Sequence, residues 1–495
     1  MNLTFGWGVA VVIGLYLLMM VVAGYVARRA RRNHSLTDFY LAGKTLGPFV
    51  LFLTLYATQY SGNALVGYPG EAYRIGYAWI MSVGFMMAII VIYLLFAPRL
   101  HRLAKQYNYV TPGDWIEHRF GSPALTWFAN GLFVITLSNY LLAQLMAMGH
   151  VVAGLSGNAV PYWVGVVVLT LTVAMYETMG GMRAVAWTDC VQGLMLLIGL
   201  LGMLIAATPG PDHLRVTTEW IMAHQPHKAA VPSLEMCSTW LSTTLLVGFS
   251  AAVYPQAIQR IYAARNATTL KRSLSMMVFM PLVTMLVVYL IGILSIPHFA
   301  SLKGVAADQV MPLLVREWAH QSPWMYVMGA LVFTGTLAAI MSTADSVLLS
   351  LSSILAKDCL GKTVLKHAPE ERLTRIGKYL SWGIVGVLIL LALVPRITLW
   401  GLTELKMEVL AQVSPMFILS LLWPRLTARA ALTGMVVGVG LSLGLAAAGY
   451  PKLAGFHAGL IGWVVNLLLC VGLSYLPAMQ PRAAAASRSE VQTSG

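Results

Sequence analysis

The sequence predicts an all-α polytopic membrane protein. Of its 495 residues, 58% are hydrophobic and 10% are charged, whereas about a quarter of the residues in a soluble domain are charged. Apolar runs recur along the whole chain, and a membrane-spanning helix needs about 20 such residues. Most of the 32 Lys and Arg residues fall in connections on one predicted side, a bias typical of cytoplasmic loops. The net charge of +14 therefore indicates orientation, and no nucleic-acid partner is expected.

Thirteen apolar segments qualify as predicted spans. The basic cluster RRARR at 28–32 follows the first of them, which places the N-terminus outside and that end in the cytoplasm. Because the number of spans is odd, the C-terminus is expected in the cytoplasm. The spans are 4–27, 45–70, 75–98, 124–155, 160–179, 184–207, 236–262, 273–296, 324–356, 377–395, 399–423, 428–449 and 456–476.

Two of the predicted spans are interrupted by polar and helix-breaking residues. The second span contains the run from Gln59 to Asn63, and the seventh contains Ser250, Pro255 and Gln256. Such backbone is tolerated at membrane depth only where it is buried in protein or lines a watery cavity. Secondary transporters use discontinuous helices of this kind to hold ions and solutes. The two interruptions therefore predict a transport site.

The same interruptions predict an inverted repeat. Each one begins a block of five spans, at 45–207 and 236–423. Because five is odd, the second block enters the membrane from the opposite side, as in transporters built from inverted repeats. A single transmembrane domain is thus expected over 1–480, with an additional N-terminal helix at 4–27 and further helices at 428–476. Residues 481–495 are expected to form a disordered cytoplasmic tail.

Hydroxyl and carboxylate side chains crowd one turn of the ninth span, at Ser342, Thr343, Asp345 and Ser346. Residues three and four apart share a helix face, and oxygen ligands are what hard cations prefer. For either hydroxyl alone, a hydrogen bond to the preceding turn is the simpler expectation. Asp345 is different, because a carboxylate at membrane depth needs a partner, an ion or a proton.

Asp189 is a second carboxylate predicted within the membrane. Two placements stay open for it: beside Asp345 in a cation site, or near the cytoplasmic interface in an ion pair with Arg183. By contrast, Glu404, Lys406 and Glu408 lie at the outer start of the eleventh span and are expected to be solvated. The sequence has no GxSxG, HExxH or P-loop motif, so we do not expect an enzyme.

Four segments together resemble the sodium:solute symporter family. They are SLTDFYLAGKTLGPF from Ser35, GGMRAVAWTDCVQG from Gly180, YPQAIQRIYAARN from Tyr254 and AAIMST from Ala338. The resemblance covers about residues 30–476 and implies Na⁺ coupling. It also implies the five-plus-five inverted-repeat fold named after a bacterial leucine transporter, with an additional N-terminal helix. Members of the family carry sugars, proline, pantothenate, sialic acid, monocarboxylates and iodide.

The resemblance also implies the sodium ligands. The main sodium site is expected to use the carbonyls of Ala57, Tyr60 and Ala339 and the hydroxyls of Ser342 and Thr343. Some relatives hold a second sodium near the positions of Asp189, Ser342, Asp345 and Ser346. This chain departs from them, because Asp345 stands where a hydroxyl is usual. We therefore predict that the second site takes either Na⁺ or H⁺; the alternative is that Asp345 faces a polar pocket and only hydrogen-bonds Ser342 or Ser346.

The expected function is cation-coupled uptake of a small organic solute, a carboxylate, across the bacterial inner membrane. The proline branch has a carboxylate at the position of Gln59 and aromatic residues at those of Val247 and Ala251, which argues against proline. The segment GYPGEAYRIG is more similar to the pantothenate and monocarboxylate branches. Alternatives are an amino-acid or sugar symporter, or a sensor that binds the same solute without transport. The expected partners are this solute and membrane lipid, with the oligomeric state left open.

Eight polar residues near the two interruptions are the candidate solute contacts. They are Gln59, Ser61, Asn63, Tyr140, Gln144, Tyr254, Gln256 and Gln259. No Lys or Arg stands out as an anchor for a carboxylate. Backbone amides at the helix breaks are the expected anchor, because a helix N-terminus favours anions.

Overall fold

The computed structural model describes residues 7–30, 35–156, 159–207, 211–299, 302–319, 321–395 and 397–476. These ranges are almost entirely helical, which confirms the predicted all-α class. The strands that they contain are β1 (Lys452–Leu453) and β2 (Phe456–His457), which pair as an antiparallel hairpin. The predicted tail at 481–495 lies outside the described residues.

Up to Ala207, the described residues form nine helices. They are α1 (Trp7–Arg29), α2 (Leu36–Leu41), α3 (Pro48–Gln59), α4 (Tyr68–Ile75), α5 (Met81–Gln106), α6 (Pro112–Phe120), α7 (Pro123–Ser156), α8 (Tyr162–Gly180) and α9 (Met182–Ala207). Short 3₁₀ turns lie at Ala42–Lys44 and Tyr77–Ile80, and a π-helical turn lies at Asn63–Gly67.

From Pro211 onwards, the part of the chain that the structure describes forms twelve helices. They are α10 (Pro211–His224), α11 (Leu234–Ala251), α12 (Pro255–Ala263), α13 (Ala267–Met277), α14 (Met280–Leu294), α15 (Val310–Ala319), α16 (Pro323–Ser353), α17 (Glu370–Ala392), α18 (Leu399–Ala411), α19 (Ser414–Leu422), α20 (Ala428–Ala447) and α21 (Ala458–Ser474). A π-helical turn at Ile354–Leu360 extends α16, and 3₁₀ turns lie at Pro226–Lys228 and Gly304–Gln309.

In the described part of the chain, 9 helical segments are long and apolar enough to cross a membrane. The number rises to 11 if each of two bent pairs counts as one span. These pairs are α11 with α12, bent by 51°, and α18 with α19, bent by 43°. The other two predicted spans, 45–70 and 456–476, fall on the shorter apolar helices α3 and α21. A count of thirteen therefore stays a prediction.

Both predicted interruptions are breaks in the helical path. Helix α3 ends because Tyr60 leaves the helical conformation, with φ −94° and ψ 81°, and the chain resumes through the π-helical turn. Helix α12 begins at Pro255, a residue that suits the first turn because it has no N–H to donate. The third bend, between α18 and α19, was not predicted.

Helix α16 lies at the centre of the fold. It packs against α3, α7, α9 and α12, and its residues from Val332 to Ser353 are all buried. Glycines allow α9 and α16 to approach closely: a Cβ on Gly335 would lie 2.8 Å from the Met195 carbonyl oxygen, and a Cβ on Gly199 would lie 3.0 Å from the Val332 Cα. Small residues at such contacts are typical of membrane helices. The packing places both helix breaks against the same buried helix.

Candidate ion and solute sites

Thr343 on α16 lies against the end of α3. Its hydroxyl is 3.3 Å from the Thr58 carbonyl oxygen and 3.1 Å from the Ala339 carbonyl oxygen. Ala57, Tyr60 and Ala339 are all completely buried. The last carbonyls of a helix lack the amide partners that a continuing helix would supply. The end of α3 and Thr343 therefore offer clustered oxygen atoms of the kind that a hard cation binds.

Ser342 is directed towards a different group. Its hydroxyl donates a hydrogen bond to the Asp189 carboxylate, whose other oxygen accepts one from Thr54. Among the five predicted ligands of the main sodium site, the structure thus brings Thr343 to the break and directs Ser342 into the predicted second site. Ser342 and Thr343 are adjacent in the chain, so the two clusters are contiguous.

The guanidinium of Arg260 occupies the predicted second site. Its Nη2 is 2.9 Å from Asp189 Oδ2 and 2.5 Å from the Ser346 hydroxyl, and its Nε is 2.8 Å from the Thr54 hydroxyl. The side chain is 0% exposed. Arg260 lies at the end of the predicted span 236–262, and α12 carries its side chain into the protein interior.

The proposed pairing of Asp189 with Arg183 is also wrong. Arg183 Nη2 lies 2.9 Å from Asp38 Oδ1, and Asp189 pairs with Arg260 instead. Sequence reasoning missed Arg260, although it lies within the segment YPQAIQRIYAARN and only five residues after Pro255. The helix break was the signal, because a half-helix starting inside the membrane must carry its first two turns through the interior.

Asp345 has hydroxyl partners only. Its Oδ2 accepts a hydrogen bond from Tyr176, at 2.7 Å, and its Oδ1 lies 3.0 Å from the Ser346 hydroxyl. The side chain is completely buried, and no described Lys, Arg or His forms an ion pair with it. Ser346 connects the two carboxylates, because the same hydroxyl accepts from Arg260. The network thus joins Asp189, which pairs with Arg260, to Asp345, which has no cationic partner among the described residues.

A small cavity lies beside the break after α3. Five predicted solute contacts line it: Gln59, Ser61, Asn63, Tyr140 and Tyr254. Its apolar wall includes Met86, Ile89 and Val247. The rings of Tyr140 and Tyr254 are stacked, with centroids 5.2 Å apart. The cavity therefore offers hydrogen-bonding groups on one wall and an apolar surface on another.

The other three predicted solute contacts do not line this cavity. Gln144 Oε1 accepts a hydrogen bond from the Gly62 N–H at 2.8 Å, which fixes the backbone after the break. Gln259 bonds to Ser350 at 2.5 Å and to Ser353 at 2.8 Å. Gln256 is buried in α12, where its backbone carbonyl accepts from Arg260 at 3.1 Å, whereas its side-chain oxygen has no hydrogen-bond partner within the described residues. The structure therefore gives the side chains of Gln144 and Gln259 contacts within the protein.

Lys406 on α18 also lines the cavity. Its Nζ lies 3.2 Å from the centroid of the Tyr140 ring and 5.3 Å from that of Tyr254. The expectation that Lys406 and Glu408 are solvated is wrong, because they are only 3% and 7% exposed. The segment AQVSP at the end of α18 combines polar residues with a proline, as the second break does, and is a sequence signal for this buried helix.

An all-helical membrane protein whose broken helices bring oxygen atoms together beside an enclosed cavity has the architecture of a secondary transporter. The model of the sodium:solute symporter family matches residues 39–438, and the chain belongs to this family. It is accordingly a Na⁺-coupled transporter of the bacterial inner membrane and not an enzyme.

Individual relatives match over nearly the whole chain. The sodium/pantothenate symporter of Escherichia coli K12 is 25% identical over 476 residues, which is 92% of this chain and 95% of the relative. The high-affinity proline transporter PutP of Bacillus subtilis is 27% identical over 459 residues, with 89% and 94% covered. A solved Na⁺-coupled sialic acid symporter superposes with a TM-score of 0.78 at 19% identity, covering 96% of this chain and 99% of that one. The leucine-transporter-like fold is thereby confirmed.

Proposed function

We propose that this protein imports a small organic carboxylate together with Na⁺ by alternating access. The proposal rests on one observation: the predicted sodium site and the solute cavity both adjoin the break after α3. Gln59 and Ser61 line the cavity, and Thr58, between Ala57 and Gln59, meets Thr343. An ion bound at the break therefore fixes the backbone that presents solute contacts, which gives a physical route for coupling the two ligands.

Two features support a carboxylate as the solute. A sodium/pantothenate symporter is among the relatives, and pantothenate is a carboxylate. The cavity also lacks the negative charge that would attract the ammonium group of an amino acid, because every described lining residue except Lys406 is uncharged. We further propose that the inverted repeats run over 45–207 and 236–423, with the N-terminus outside and the C-terminus in the cytoplasm.

Uptake into proteoliposomes tests this function. We expect labelled pantothenate to accumulate above its external concentration when an inward Na⁺ gradient is imposed, and to stop accumulating when K⁺ replaces Na⁺. A sensor would bind the solute without accumulation, and a channel would only equilibrate it. If a panel of labelled carboxylates shows no concentrative, Na⁺-dependent uptake, the proposed function is wrong.

The main sodium site is proposed to consist of the carbonyls of Ala57, Tyr60 and Ala339 with the hydroxyls of Ser342 and Thr343. We expect Thr343→Ala to raise the Na⁺ concentration for half-maximal uptake about tenfold, as the loss of about 1.4 kcal/mol from one ligand would do. Thr343→Ser keeps the oxygen and serves as the control. Sodium titrations of uptake measure both, and an unchanged half-maximal concentration in a folded Thr343→Ala protein would refute the assignment.

The second cation site is proposed to include Asp189, Ser342, Asp345 and Ser346, and to take Na⁺ or H⁺ beside Asp345. A buried carboxylate without a cationic partner must bind a cation or a proton. We expect Asp345→Ser to transport with a weaker pH dependence and an altered sodium Hill slope. Uptake measured from about pH 5.5 to 8.5 at several Na⁺ concentrations tests this, because a carboxylate that gains or loses a proton within this range makes uptake pH-dependent, whereas serine does not titrate there. Superimposable curves for the wild type and Asp345→Ser would make Asp345 a purely structural residue.

A further inference from the structure

We propose that Lys406 binds the carboxylate of the transported solute, and that it selects anionic solutes against zwitterions and neutral molecules. This inference rests on the proposed function, because it assigns a recognition residue to the same cavity. It replaces the helix-break amides, which the sequence suggested as the anchor, with a side chain from α18.

The ammonium group of Lys406 has no anionic partner in the described protein. It lies over the Tyr140 ring, and no described carboxylate forms an ion pair with it. Of the two carboxylates nearest in sequence, Glu404 pairs with Lys452, its Oε1 lying 3.3 Å from Lys452 Nζ, and Glu408 forms no ion pair with Lys406 within the described residues. A cation–π contact replaces only part of the hydration that a buried ammonium loses. The cavity therefore contains a buried amine without an anionic partner, and a solute carboxylate beside it would favour the protonated form of that amine.

A neighbouring side chain has unused hydrogen-bonding capacity. Asn63 is 3% exposed, and neither its side-chain nitrogen nor its oxygen has a hydrogen-bond partner within the described residues. Asn63 lines the same cavity as Lys406. Leaving buried polar groups without hydrogen-bond partners costs free energy. A ligand that bonds to both Asn63 and Lys406 would remove this cost. A solute with a carboxylate and a second polar group, such as an amide or hydroxyl, satisfies both.

The same arrangement disfavours amino acids. An amino acid carries an ammonium group next to its carboxylate, so binding the carboxylate to Lys406 would bring two positive charges close together. No described lining residue of the cavity carries a negative charge to offset them. Like charges at such separations repel strongly where water is excluded. Lys406 therefore recognises carboxylates and rejects zwitterions.

Matched pairs of a carboxylate and its primary amide test the inference. The probes are pantothenate, lactate and proline with the three corresponding amides, measured as competitors of uptake in proteoliposomes. In the wild type, we expect the transported carboxylate to compete at least about tenfold better than its amide, the range for a hydrogen bond to a charged group. We expect proline to compete no better than the neutral amides. This comparison uses the wild-type protein alone, so it does not depend on whether a variant folds.

Two variants then assign the preference to Lys406. In Lys406→Met we expect the carboxylate and its amide to compete equally, whereas Lys406→Arg keeps the preference. The thermal shift that Na⁺ alone produces reports folding and the ion site, and it should match the wild type in both variants. If Lys406→Met fails that check, Lys406→Gln takes its place.

The outcomes separate the two proposals. A folded Lys406→Met protein that retains the carboxylate preference, or a wild type that prefers proline or the amides, overturns the role of Lys406 while leaving Na⁺-coupled uptake intact. A wild type that Na⁺ stabilises but that accumulates none of the carboxylates overturns the proposed function itself.

Discussion

Arg260→Met is expected to abolish uptake and to destabilise the protein by about 3–5 kcal/mol, the cost of removing one partner from a buried ion pair. The substitution leaves the Asp189 carboxylate buried without its cation and removes hydrogen bonds to Thr54 and Ser346. Thermal unfolding in detergent and uptake in proteoliposomes measure the two effects. Arg265→Met is the matched control, because Arg265 lies five residues further along the chain and is exposed.

The double variant Asp189→Asn with Arg260→Met tests the cause of this loss. Because it removes both charges, we expect it to recover part of the stability without recovering uptake. A coupling between the two substitutions is the signature of a direct pair. If Arg260→Met unfolds at the wild-type temperature, or if the two effects simply add, the ion pair does not support the fold.

Gly62→Leu is expected to abolish solute uptake while the protein still inserts into the membrane. Even a Cβ at this position would lie 2.7 Å from the Ala147 Cβ, 2.9 Å from Gln144 Oε1 and 3.0 Å from Ile340 Cγ1. A larger side chain must therefore push the break away from α7 and α16, which displaces the neighbouring solute contacts. Saturation binding of the solute and the amount of protein in the membrane measure the outcome.

Gly84→Leu provides the comparison for this variant. Gly84 is exposed on α5, and nothing lies within 4 Å of a Cβ built there. We expect this control to transport normally. Wild-type solute affinity in Gly62→Leu would mean that the break after α3 is a packing kink with no part in binding.

Local sequence was sufficient to predict the breaks after α3 and before α12, but the bend between α18 and α19 was not predicted. Polar residues and glycine within an apolar run marked the break at Tyr60, and Pro255 marked the second. Polar residues, glycine and proline interrupt the helix in which they occur. Their effect can therefore be predicted without knowing which other segments pack against that helix. The hydroxyls on α16 were found in the same way, because residues of one turn share a face whatever packs against it.

The local sequence did not predict that Arg260 and Lys406 are buried. Arg260 and Lys406 lie near the ends of apolar runs, and a hydropathy count assigns such residues to water. Their burial depends on half-helices that turn back into the protein and on partners distant in sequence, Asp189 for Arg260 and Tyr140 for Lys406. Tertiary packing decides whether a charge near a helix end is solvated or enclosed. A helix break indicates that the half-helix enters the interior, but the local pattern does not identify the partners that enclose the charge.

The position of Arg260 has an electrical consequence. A sodium ion in the predicted second site would leave with the solute, whereas a guanidinium attached to α12 stays with the protein. One Na⁺ carried with one monovalent anion moves no net charge, so the membrane potential neither drives nor opposes that cycle. Each additional cation would contribute about 2.3 kcal/mol per 100 mV. Currents recorded across a membrane during uptake therefore count the cations that travel, and a cycle without current means that the resident arginine has replaced the second ion.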